Sequence, residues 1–298
     1  SSSSRVPLLR SPRPDGCAMR ESEVAPDGQD AFDEEGGVDL FAAPVRSAED
    51  DAGMEEEGED DDAQWEVVRW APTDEVMPEV IIHRQLAQCW ASARLLAEWL
   101  LGPGREMASS SALIVELGAS LGLPSLAASA AGAGRCVATD LYVAGRAEAL
   151  RATVAKNRRV NENPTLFDNV SDRRLDWNKT SAETLGELSG AADVVLCADV
   201  IYDSKAGPAI ARTVALLLRP GGTLVFASRY GRRGLDAFLE VAVASPDTSV
   251  DCAGSIVAGC GLVVRQETHL LSDVMGLGLT EEDKHGLWIM EKLPTTSS

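Results

Sequence analysis

The chain has 298 residues, 45% hydrophobic and 25% charged, with a formal net charge of −20. This is enough apolar content for one large core, and the negative excess argues against nucleic acid as a partner, because phosphate contacts need basic surface. The charge is uneven: residues 1–64 hold 19 acidic and 5 basic residues, a net of −14, which leaves a mildly acidic −6 for the rest.

Residues 1–62 are rich in Ser, Pro, Gly, Asp and Glu and end in the acidic run Glu55 to Asp62. Such a composition buries too little apolar surface to offset chain entropy, so residues 1–64 are expected to be a disordered acidic tail. The opening Ser1 to Arg5 lacks an apolar leader, and no stretch offers 18 uninterrupted apolar residues, so the expectation is a soluble chain without a membrane segment. Six scattered cysteines, with no Cys-x-x-Cys pair, suit a reducing compartment; the cytoplasm is expected, with the nucleus as a second location. Three histidines without ligand spacing predict no metal site.

Between Trp65 and Ile82, short Val/Ile-rich runs suggest strands forming an N-terminal flap. Leu86, Trp90, Ala93, Leu96, Ala97 and Leu100 then recur at helical spacing, which predicts an amphipathic helix over 85–101, ended by Gly102-Pro103-Gly104. Trp90 reads as a core residue of that helix or, lying just ahead of the segment described next, as a cover for a bound cofactor.

Residues 112–140 organise the chain. Ala112 to Val115 is an apolar, β-branched run suited to a strand buried on both faces, and it ends at Glu116. Gly118 and Gly122 permit a sharp turn and close approach to a ligand. Pro124 opens a helix whose alanines can lie flat on a sheet, and Gly132 and Gly134 end it. A second strand, Cys136 to Thr139, delivers Asp140 to its tip, where a carboxylate can take two ribose hydroxyls.

Three ligand classes compete for this turn. A dinucleotide motif wants glycines where Ser120 and Leu123 stand, which disfavours NAD. Gly118-Ala119-Ser120-Leu121-Gly122 matches the nucleophile elbow of serine hydrolases, but the downstream histidines, His269 and His285, lack a strand-then-loop context. S-adenosylmethionine carries no phosphate and needs a glycine-lined turn and a ribose carboxylate, which Glu116, Gly118, Gly122 and Asp140 suit.

Beyond Asp140, a helix is expected over 143–159, broken by Asn157, Asn161 and Asn163-Pro164. A weak strand over 169–177 ends at Asp176-Trp177, an acid and an aromatic that can hydrogen-bond and stack on adenine, or simply form a loop. The clearest later strand, Asp193 to Ala198, runs into Asp199-Val200-Ile201-Tyr202-Asp203. A helix to Leu218, a tight turn at Pro220-Gly221-Gly222, a strand Thr223 to Ala227, a helix 235–243 and strands near 262–264 and 286–290 complete an alternating α/β pattern of about seven strands.

With these elements the chain resembles the seven-strand S-adenosylmethionine-dependent methyltransferases, and within them the protein methyltransferases with a D/E-x-x-Y motif after the fourth strand, mostly lysine-directed. The resemblance covers residues 65–292, leaving 293–298 as a short C-terminal tail. It rests on Trp90, Glu116 to Pro124, Ala138-Thr139-Asp140, Leu175-Asp176-Trp177 and Ala198 to Asp203. It implies a Rossmann-like sheet, mostly parallel with an antiparallel last strand, with helices on both faces. It also implies that Glu116, Gly118 and Gly122 hold the methionine end of the cofactor, Asp140 the ribose, and Asp176 with Trp177 the adenine, with Trp90, Ser120 and Ala198 also at the cofactor. Asp199 and Tyr202 would face the accepting amine. Ser120 departs from the family's usual glycine. The implied protein is a monomer acting on the lysine of a non-histone protein; a small-molecule amine methyltransferase would share every cofactor residue.

Overall fold

Parallel strands in mid-sheet bury both faces, so their sequences read as continuous apolar runs rather than alternations. In the computed structural model, which describes residues 65–68, 79–83, 89–141, 145–161, 163, 165–201, 203, 205–252, 255–270 and 284–293, the run ending at Leu117 is such a strand, with Ile114, Val115 and Leu117 fully buried. The acidic tail, Trp70, Leu86, Tyr202 and the segment 271–283 lie outside the described residues.

The elements run β1 Trp65–Val67, β2 Ile81–His83, α1 Ala91–Leu101, β3 Leu113–Leu117, α2 Leu123–Ala131, β4 Arg135–Asp140, α3 Arg146–Val160, β5 Val170–Arg174, α4 Ala182–Leu185, β6 Ala192–Ala198, α5 Ala206–Leu217, β7 Leu218–Arg229, α6 Leu235–Val243, β8 Ser249–Cys252, β9 Ser255–Ala258, β10 Leu262–Leu270 and β11 His285–Lys292. Among the described residues, seven strands form the main sheet in the order β10-β11-β7-β6-β3-β4-β5. β5, β4, β3, β6 and β7 pair in parallel, and β11 is inserted antiparallel between β7 and β10. The order reverses at β3, which has β4 on one side and β6 on the other, so a crevice opens beyond the C-terminal tips of β3 and β6.

Alternate residues of each strand supply opposite layers. Ile114, Leu196 and Val225 pack with Leu96, Leu100 and Leu126 of α1 and α2, while Val115, Val195 and Phe226 pack with Ile210 and Phe238 of α5 and α6. The alanines of α2 do lie flat: Ala127 and Ala128 are fully buried.

Several boundaries differ from expectation. α1 starts at Ala91, because Trp90 is extended (φ −75, ψ 150) and only its carbonyl joins the helix, accepting from the Ala93 and Arg94 amides. Trp90 is therefore half-exposed instead of being a helix-face core residue. Asn157 does not break α3: it lies inside the helix, fully buried, and its amide staples β2 by accepting from Ile81 N at 2.8 Å and donating to Ile81 O at 2.6 Å. β5 stops at Arg174, so Asp176 and Trp177 follow it in a one-turn 3₁₀ segment. Pro220-Gly221-Gly222 is the irregular start of β7, opposite a register shift at Ala192/Val194, and not a free turn. The β8–β9 hairpin carried no sequence signal that was read. Among the described residues no helix is long and apolar enough to cross a membrane.

Candidate functional site

The turn after β3 is held in shape by β4. Gly118 (φ 65) and Gly122 (φ 74) take left-handed backbone, and Ser120 (φ 50) joins them. The Ala119 amide donates to Thr139 O at 2.9 Å and the Ser120 amide to Asp140 Oδ2 at 2.9 Å. Asp140 Oδ1 accepts from the Leu141 amide at 2.7 Å, and Arg146 stands 4.0 Å away. Each oxygen of this buried carboxylate thus has one amide partner, and a carboxylate can accept about four bonds in all, so room is left for two more.

Gly118 and Gly122 are required by space as well as by φ. A Cβ on Gly118 would sit 2.8 Å from Val200 Cγ1 and 3.2 Å from the Trp177 ring, and one on Gly122 would sit 2.6 Å from Leu150. Trp177 thereby packs against the turn, and its buried indole N–H has no hydrogen-bond partner among the described residues. Asp176 accepts from the Asn178 amide at 3.0 Å and lies 3.6 Å from Lys179, so it caps its own short helix.

Beside the turn is a small cleft whose lining includes Trp90, Ala93, Glu116, Gly118, Ser120 and Ala198. Asp140 and Gly122 do not line it, so the structure separates a small pocket at Glu116 from the carboxylate at the tip of β4. Glu116 Oε2 accepts from Ser125 N at 2.9 Å and Ser125 Oγ at 2.5 Å. Burial nevertheless pushes the Glu116 carboxyl up to about 8, with the Asp140 charge adding to the rise. Cys89, on the same cleft, is driven to about 11 by burial and stays a thiol near neutral pH.

The raised carboxyl has a consequence for stability. Below about pH 4.5 Glu116 is protonated in both folded and unfolded chains; above it the folded chain retains the proton and the unfolded chain does not. Its contribution to stability is therefore complete below the unfolded value and is lost as pH rises through about 8. Glu116→Gln, a neutral isostere, should flatten the fall in melting temperature between about pH 4.5 and about pH 8. Thermal scans of both proteins check this, and an unchanged slope would show that Glu116 is ionised throughout.

On the other wall, Ala198 ends β6 and Asp199 follows in left-handed backbone (φ 54), its amide donating to Ala227 O. Its carboxylate is almost buried and is gripped by both Nε and Nη2 of Arg232, the Nε bond measuring 2.8 Å. The Arg232 guanidinium also lies 5.8 Å from the Trp90 ring centre. A two-point bond to a buried carboxylate outweighs an exposed cation–ring contact, which is worth about 0.5–1 kcal/mol. Val200 and Ile201 pack into the core, and Asp199 does not cap α5, whose N-cap is Lys205. Arg232 and Ser125 are not among the residues that the sequence singles out. Ser125 might have been found from its position in the first turn of α2; Arg232, 33 residues from Asp199, offered no signal.

The hydrolase alternative for Ser120 lacks a base. The histidines lie on β2, β10 and β11, with His83 against Trp65 and His269 against Tyr230, and none lines the cleft. No group of His, Cys, Asp and Glu among the described residues could hold a metal.

A switch-point crevice with a glycine turn, a carboxylate at the next strand tip and a reversed last strand define an α/β protein of the seven-strand methyltransferase class. Residues 83–244 match the family described as lysine methyltransferase, and the chain belongs to that family. It is similar to the protein N-terminal and lysine N-methyltransferase EFM7 of Yarrowia lipolytica, with 28% identity over 146 residues, 45% of this chain and 52% of that protein. The chain thus spans about half the length of that curated relative. Among solved structures it is similar to Pyrococcus horikoshii TYW2 in complex with MeSAdo (12% identity, 76% of this chain and 71% of that one, TM-score 0.46). It is also similar to an O-methyltransferase from Bacillus cereus in complex with SAH (13%, 70% and 84%, TM-score 0.46).

Proposed function

We propose that the chain binds S-adenosylmethionine across the tips of β3, β4 and β6 and methylates the side-chain amine of a lysine in a protein substrate. The observation that carries the donor reading is a small, largely apolar cleft lined by Glu116 beside a second group, the Asp140 carboxylate, with acceptor capacity to spare. An amino acid end fits the first and a ribose the second, while the buried Trp177 N–H, without a partner among the described residues, suits a ligand lying between them. Membership of the lysine methyltransferase family supports the acceptor.

When bound, this donor supplies an electrophilic methyl group on a sulfonium. The protein's part is to align the acceptor and exclude water. Glu116 accepts hydrogen bonds from the donor's amino group, and Asp140 holds its ribose hydroxyls. The accepting lysine must first lose a proton from an amine whose reference pKa is about 10.4. Asp199, already countered by Arg232, is no strong base for it; with Tyr202, which lies outside the described residues, it orients the acceptor at the β6 tip.

The test is incubation of the pure protein with methyl-labelled S-adenosylmethionine and a cell extract. Label should enter protein and be recovered as methyl-lysine. Asp199→Ala and Tyr202→Phe should lower that transfer at least tenfold while S-adenosylhomocysteine affinity stays within about threefold, as for interactions made only with the acceptor. Label confined to small amines would overturn the protein substrate, and full transfer by folded Asp199→Ala would remove that residue from the site.

A further inference from the structure

Arg232 sits in the loop between β7 and α6, and what it touches belongs to two other parts of the chain. Its fork holds Asp199, just beyond β6, and its flat face covers the ring of Trp90, just ahead of α1. Trp90 and Ala198, the neighbour of Asp199, both line the cleft at Glu116. One guanidinium therefore ties these two parts of the lining together.

We propose that Arg232 is a positioning residue that closes this cleft over the bound donor, releasing Trp90 to open while remaining on Asp199. The inference rests on the donor reading above. The direction of opening follows from the two contacts: the Asp199 side chain is 4% exposed and bound at both oxygens, whereas Trp90 is 46% exposed and its ring centre lies 5.8 Å from the guanidinium. The loop carries glycine at both candidate hinge points. Gly231 (φ 75) and Gly234 (φ 90) flank Arg232 and Arg233, and a Cβ on Gly231 would meet nothing within 4 Å. The residue type also matters, because a planar guanidinium can fork onto a carboxylate and stack on an indole at once, and an ammonium cannot.

The experiment measures S-adenosylhomocysteine association and release by stopped flow in the full chain, for wild type, Arg232→Ala and Arg232→Lys. If Arg232 closes the cleft, both variants should associate at least about fivefold faster than wild type, since removing a mere ligand contact changes release and leaves association alone. Acrylamide quenching without ligand gives a second reading: Arg232→Ala should make Trp90 about twofold more quenchable, isolated by subtracting the same pair in a Trp90→Phe background. Association within twofold of wild type would overturn the closing role, as would affinity lost wholly through faster release, which would make Arg232 a ligand contact. Absence of any binding by wild type would overturn the donor reading and the closing role with it, whereas binding with unchanged rates overturns the closing role alone.

Discussion

Asp140→Ala should weaken S-adenosylhomocysteine by at least tenfold in calorimetry, about 1.4 kcal/mol, and the structure gives two reasons for expecting more than a lost ribose contact. The carboxylate accepts from the Ser120 and Leu141 amides, so its removal also frees the turn between β3 and α2. Charge-assisted bonds to backbone amides are roughly twice as strong as neutral ones, and the turn they hold contains Ser120 at positive φ, a conformation that needs such support. Asp140→Asn, which keeps the shape and one acceptor oxygen, should fall between wild type and alanine. Undiminished affinity in Asp140→Ala would remove this residue, and the tip of β4, from the binding site.

The second large effect concerns the core beneath the other wall. Phe226 in β7 is fully buried, with its ring 5.3 Å from Trp288 of β11 and 4.9 Å from Phe238 of α6. Phe226→Ala should cost about 3–5 kcal/mol, because three elements meet at that ring and none can collapse into the space alone. Urea unfolding should show a lower midpoint at an unchanged slope. A loss below about 1.5 kcal/mol would mean that β11 and α6 repack freely, which two aromatic contacts held by separate elements argue against.

What could be read directly from the residues was what short-range chemistry decides. The run Ala112 to Val115, the glycines at 118 and 122, the alanines of α2 and the carboxylate at 140 lie close together in the chain and obey local rules of strand burial, turn geometry and helix packing. The α/β class and the nucleoside half followed from them, and α6 was legible to the residue, because its apolar spacing is regular and Gly234 precedes it. Local spacing misled where a single side chain answers to a distant partner. Asn157 has the residue type of a helix breaker, yet Ile81, 76 positions earlier, gives its amide full hydrogen bonding within α3. Trp90 has the spacing of a core residue, yet helix α1 begins one residue later and leaves it at the cleft. Asp199 read as a carboxylate open to a substrate cation, and only the folded chain brings Arg232 onto it, because the loops after β6 and β7 meet at the same sheet edge. The sequence by itself determined the fold class and the glycine turn and strand-tip carboxylate proposed to hold the donor, whose parts are neighbours in the chain. Which charges pair at the acceptor half was decided by tertiary structure, since those contacts join loops whose approach depends on the order of the strands.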